Sequence, residues 1–172
     1  SGGWNSNEKN GRPLSAFQMR NLISTSRRDN AAIFSVPGAG KTVESLAYST
    51  VVAGGSALFV IVCPRNAYVA WENELSASLN IQSNEIVRAI GNDDELRGKL
   101  IARKEPYKAV LVNYNRLWFR YRVFSEYIQR LVDDGRKVVT IFDESHHFKG
   151  GKSFTSAVKR ISPFASHRVI LS

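Results

Sequence analysis

The chain has 172 residues, enough for one substantial core, and 43% of them are hydrophobic, as in a folded globular protein. No apolar run reaches the roughly 18 residues of a membrane-spanning helix, so no membrane partner is expected, and the single cysteine, Cys63, excludes an internal disulfide and suits a reducing cytoplasm, or a nucleus in a eukaryote. Formal net charge is +9, which favours a polyanionic partner and salt-sensitive attraction to a phosphate backbone.

Ser1-Gly2-Gly3 reads as a tag remnant, and residues 1–13, polar and Gly/Asn-rich, as a flexible lead-in. Residues 14–28 carry Leu14, Phe17, Met19, Leu22 and Ile23 at spacings that suit a helix. A short strand, Ala31–Ser35, leads into a glycine-rich turn and a helix from about Lys41 to Ala53, which Gly54-Gly55 stops. Ala57–Cys63 is a continuous apolar run, as in a strand buried on both faces, and Pro64 ends it. Then come a helix over Ala67–Leu79, a weak strand over Ile86–Ile90, a charged helix over Asp93–Arg103 and a buried strand over Lys108–Asn113. One long amphipathic helix is expected from Asn115 to about Asp133, ended by Asp134-Gly135. Its Arg116–Arg122 stretch, basic and aromatic, reads as a core-facing helix with a solvated basic side. Lys137–Phe142 is a strand, Ser153–Ile161 a short helix and Arg168–Leu171 a last strand. Strands alternating with helices throughout give a three-layer α/β domain over residues 14–172 with a mainly parallel sheet. Because the last strand stops where a loop is due, the chain reads as part of a longer protein.

Two motifs about a hundred residues apart carry chemistry. Ser35-Val36-Pro37-Gly38-Ala39-Gly40-Lys41-Thr42 lies between a strand and a helix. Such a turn points successive backbone N–H groups into one concavity that suits phosphate oxygens; Pro37, Gly38, Ala39, Gly40, Lys41 and Thr42 form it. Lys41 adds a mobile positive charge for the β- and γ-phosphates, and the Thr42 hydroxyl can ligate Mg²⁺. Ser35 replaces the usual first glycine. The second motif, Asp143-Glu144-Ser145-His146, follows the apolar strand Val138–Phe142. Asp143 suits the metal shell, Glu144 suits a general base or water-positioner, and His146 suits a link from the site to its surroundings. His147 reads as structural and Trp71 as a packing residue. Together the motifs predict Mg²⁺-dependent hydrolysis of a nucleoside triphosphate. No Asn-Lys-x-Asp guanine motif is present.

From Leu14 to Ser172 the chain resembles the N-terminal RecA-like lobe of superfamily-two helicases and translocases, closest to the Swi/Snf-type double-stranded-DNA translocases. Leu14-Ser15-Ala16-Phe17-Gln18 resembles the adenine-recognition motif, which gives Gln18 the purine-reading role. Val62-Cys63-Pro64 with Trp71-Glu72-Asn73-Glu74-Leu75 resembles the family's "P…nW..E" segment. Val110–Tyr114 resembles a backbone-contacting segment, and Asp143–His146 with Phe148-Lys149 resembles "DEAH..K". His167–Ser172 looks like the strand entering the coupling motif. The departures are Ser145 for alanine, Gly150 for a common asparagine and Ser172 for a common threonine.

The resemblance implies nucleic-acid contacts at Pro64, Arg65, Asn66, Asn113 and Tyr114, a duplex DNA partner, and a second RecA-like lobe that supplies an arginine finger. The lobe alone should then bind ATP weakly and hydrolyse it poorly, since such a finger is worth about 10³–10⁵ in rate. The alternatives are a P-loop NTPase acting on RNA, a non-helicase NTPase and a non-catalytic binding module.

Overall fold

The computed structural model describes residues 13–34, 40–143 and 152–171, with the side chains at 152–155 and 157 set aside. Helix α1, Ala16–Thr25, begins with a reciprocal cap: the Ser15 hydroxyl accepts from the Gln18 N–H, and the Gln18 side chain accepts from the Ser15 N–H. Strand β1, Asn30–Ile33, alternates exposed and buried residues. Helix α2, Lys41–Ala53, ends at Gly54, whose φ of 82° suits glycine. All five residues of β2, Leu58–Val62, are buried. A 3₁₀ turn, Arg65–Ala67, runs directly into α3, Tyr68–Leu79, and Asn80 in the left-handed region ends it.

Strand β3 is only Ile86–Arg88. The charged helix α4, Asp93–Leu96, is capped by the Asn92 side chain and widens into a π-helical turn over Arg97–Ile101. Strand β4 is Ala109–Val112. The expected long helix is in fact two. Helix α5, Tyr114–Phe119, is separated from α6, Tyr121–Asp133, by Arg120 at φ −118° and ψ 20°. Strand β5 is Val138–Phe142, α7 is Lys152–Ile161 and β6 is His167–Leu171.

The six strands form one sheet in the order β1-β6-β5-β2-β4-β3, and every pairing is parallel. Alternate side chains of each strand feed opposite faces. Phe59, Ile61, Leu111, Val139, Ile141 and Val169 pack under α1, α2 and α3, around Leu46, Trp71 and Leu75. Leu58, Val60, Val62, Val110, Val112 and Phe142 pack under α4 to α7, around Leu117, Phe124, Ile128 and Ile161. Cys63 lies fully buried in the first of these cores. This is the three-layer α/β architecture with a parallel central sheet that the alternation of strands and helices predicts. In such sheets loops at the carboxyl ends of the strands hold ligands.

Candidate functional site

Three of the residues expected to serve the nucleotide lie, among the described residues, at that carboxyl edge. Lys41 and Thr42 open α2, which follows β1, and Asp143 follows β5. The N-terminus of a helix carries unpaired N–H groups and a partial positive charge, both favourable to phosphate. Gly40 caps α2 in the left-handed region at φ 76°. A Cβ at Gly40 would lie 2.6 Å from Gln18 Nε2 and would push that side-chain amide aside, while the backbone angle itself favours glycine. Thr42 is half-buried, and its carbonyl accepts from the Ser45 hydroxyl at 2.7 Å. Pro37, Gly38 and Ala39 lie outside the described residues, as do Glu144, His146 and His147.

Gln18 is buried and spans the gap between α1 and α2. Its Oε1 accepts from the Ser15 N–H at 2.9 Å and its Nε2 donates to the Gly40 carbonyl at 3.3 Å. One turn further along α1, the Asn21 side chain bonds Glu44, the buried carboxyl on the first turn of α2. Burial pushes the Glu44 pKa up, and the bond from Asn21 opposes that shift. Gln18 is thereby fixed against Gly40, the residue that precedes α2.

Asp143 is held twice. The Trp71 indole donates from Nε1 to Asp143 Oδ2 at 2.9 Å, and the Tyr114 hydroxyl donates to the Asp143 carbonyl. The Asp143 N–H in turn donates to the Val62 carbonyl at 2.8 Å, which continues the β5–β2 pairing one residue past the strand. Sequence reasoning gave Trp71 to packing and missed its bond to Asp143. It placed Tyr114 on the nucleic-acid path, but only 6% of Tyr114 is exposed. The reason is local. Asn113 caps α5 by accepting from the Arg116 N–H at 2.9 Å, and Tyr114, the first residue of α5, lies buried in the second core with its hydroxyl bonded to the end of β5.

The other expected nucleic-acid residues gather better. Pro64 and Asn113 are half-buried, while Arg65 and Asn66 are exposed. Arg65 and Asn113 line one cavity of about 210 Å³ together with Asn115, Arg116, Phe119 and Arg120. Its arginines are steadied by neighbours: Arg116 donates to the Gly91 carbonyl, and Arg120 pairs with Asp93 at 2.9 Å. Phe119 is 73% exposed at the break between α5 and α6, so the Arg116–Arg122 stretch presents more than a solvated basic side. Trp118 and Tyr121 are covered instead, by the Arg160 guanidinium of α7 at 5.1 and 4.3 Å from their ring centres. Among the described residues no helix is long and apolar enough to cross a membrane.

No curated protein matches the chain in sequence. Among solved structures, the helicase domain of Hef from Pyrococcus furiosus superposes with a TM-score of 0.59 at 14% identity, which speaks for the fold alone. That match covers 92% of this chain but 32% of the Hef chain, so this sequence spans about a third of that structure's length. Residues 9–171 match the family model described as "Type III restriction enzyme, res subunit", and with the phosphate-loop helix, the β5 carboxylate and the parallel sheet in place, the chain belongs to that family as a superfamily-two helicase-like ATP-binding domain.

Proposed function

We propose that this chain is the ATP-binding motor lobe of an ATP-dependent DNA translocase or helicase, allied to the duplex-tracking kind that its Trp71 segment resembles. The observation that carries the proposal is the placement of Lys41 and Thr42, Asp143, and the Arg65–Asn113 cavity along one carboxyl edge of a single parallel sheet. ATP with Mg²⁺ fits these residues. The glycine-dependent turn at Gly40 leaves a helix N-terminus for phosphates, and Thr42 and Asp143 bring the hard oxygen donors that Mg²⁺ prefers. Among the described residues no cluster of three or more His, Cys, Asp or Glu could hold a metal alone; Mg²⁺ at such sites takes one or two protein groups and completes its shell with phosphate and water.

When bound, Mg²⁺–ATP supplies the phosphoanhydride whose cleavage drives movement. Lys41 neutralises charge on the terminal phosphates, and Gln18 recognises adenine through an amide that both donates and accepts. Asp143 would hold the metal shell, Glu144 would orient or deprotonate the attacking water, and His146 would link the site to its surroundings. Arg65, Asn66 and Asn113 contact the DNA backbone. The second lobe of a longer protein completes the engine.

The test is titration of a fluorescent ATP analogue into the chain and its Lys41→Ala variant, with turnover measured in the full-length enzyme and its Glu144→Gln variant. Lys41→Ala should weaken binding severely, because backbone amides cannot replace the lost charge. Glu144→Gln should keep binding and lose most turnover. Equal binding by wild type and Lys41→Ala sinks the nucleotide site.

A further inference from the structure

We propose that Trp71 and Tyr114 are positioning residues that couple the DNA groove to the ATP site by holding Asp143 between them; the proposal rests on the nucleotide and DNA reading above. Asp143 is fixed at its carboxylate by the Trp71 indole and at its carbonyl by the Tyr114 hydroxyl. The two donors belong to different elements, and each element begins at the groove. Trp71 lies one turn into α3, which grows out of the 3₁₀ turn that starts at Arg65. Tyr114 directly follows Asn113, the capping residue of α5. Arg65 and Asn113 both line the same basic cavity. A phosphate bound there therefore touches Arg65, six residues before Trp71, and Asn113, immediately before Tyr114.

The grip is stiff enough to transmit a displacement. Trp71 is 1% exposed in the core beneath α3, Tyr114 is 6% exposed, and the Asp143 N–H is tied to Val62. A packed indole cannot follow a shifted carboxylate by changing rotamer, so α3 and Asp143 move together or the bond breaks. Occupancy of the groove then biases the orientation of the metal-holding carboxylate, and nucleotide with metal at Asp143 biases the groove equally. Such coupling is reciprocal, and typical values are about 5–150-fold.

The experiment measures that reciprocity on the chain itself. Labelled duplex DNA is titrated by anisotropy with and without saturating Mg²⁺–ATPγS, for wild type, Trp71→Phe and Tyr114→Phe. Tyr114→Phe removes one hydroxyl and keeps the ring, which guards against the larger disturbance expected of Trp71→Phe. Wild type should show an affinity change of about fivefold or more between the two conditions. Both variants should bring it to within about twofold of unity and leave DNA affinity without nucleotide unaltered. Omitting Mg²⁺ should abolish the wild-type change, because Asp143 acts through the metal, and a change that persists without Mg²⁺ overturns the route through Asp143. An unchanged ratio in Tyr114→Phe overturns the proposal, as does a ratio of one in wild type that binds both ligands. Failure of wild type to bind either ligand overturns the underlying function and the coupling with it.

Discussion

Gly40 shows how narrowly one residue is determined at the site. Its φ of 76° costs a side-chain-bearing residue about 1–2 kcal/mol, and Gln18 Nε2 occupies the space a methyl group would need. Gly40→Ala should therefore lower thermal stability and displace Gln18. In a nucleotide competition assay it should erode ATP-over-GTP preference in the same direction as Gln18→Ala. An alanine variant that keeps both stability and selectivity would show that the Gln18–Gly40 contact does not set adenine recognition. Residue types and spacing made Gly40, Lys41, Thr42 and Asp143 legible in the sequence, because phosphate chemistry leaves few ways to arrange them. Trp71 and Tyr114 were not legible as partners of Asp143. Their bonds cross 72 and 29 residues, and nothing in the sequence says which strand ends become neighbours.

At the scale of elements, α6 presents Val123, Phe124, Tyr127, Ile128 and Leu131 to the second core. Among the described residues the buried Tyr127 hydroxyl finds no hydrogen-bond partner, and burial pushes its pKa well up. An unpaired buried hydroxyl costs about 1–3 kcal/mol, so Tyr127→Phe should raise the denaturation midpoint at neutral pH. The pH dependence has a definite sign. Tyr48, Tyr68 and Tyr127 all have folded-state pKa values above the ordinary 10.0, with burial the largest cause in each. The unfolded chain loses these protons first, so stability present below pH 10 falls as pH rises past it. Tyr127→Phe should make that alkaline decline shallower in urea titrations from pH 9 to 11. A lower midpoint at neutral pH would mean that the hydroxyl has a partner.

Most element positions followed from apolar periodicity and stop signals such as Gly54 and Gly135. The break at Arg120 did not, for residues 114–133 contain neither glycine nor proline. Tertiary contacts at the break accompany it: Arg120 pairs with Asp93, and Arg160 covers Trp118 and Tyr121 on either side. The widening over Arg97–Ile101 was equally silent, since helix periodicity barely distinguishes one π turn from an α turn.

For the whole molecule, a net charge of +9 and a cavity lined by three arginines predict duplex DNA binding that weakens steeply with salt. Each neutralised phosphate contributes about 0.9 to the log–log salt slope on B-DNA. Arg65→Ala should reduce that slope by about one contact and weaken binding similarly across sequences. Anisotropy with duplex DNA, single strands and RNA at several salt concentrations checks this. Tighter binding to RNA or single strands would overturn the duplex assignment and leave the ATP site untouched.

The strand order has a further consequence, for how the molecule comes into being. The phosphate-loop strand β1 and the carboxylate strand β5 are not neighbours; β6 lies between them. Arg168 reaches Asn30 across 138 residues of chain, by side chain and by strand pairing alike. During synthesis β1 is made long before β6, the strand that joins it to β5. A nascent chain can pair β5, β2, β4 and β3, yet β1 has no neighbour among these strands until His167–Leu171 has emerged. Among the described strands β6 alone flanks β1, so a chain lacking β6 leaves β1, and the start of α2 that follows it, unjoined to the strand that leads to Asp143.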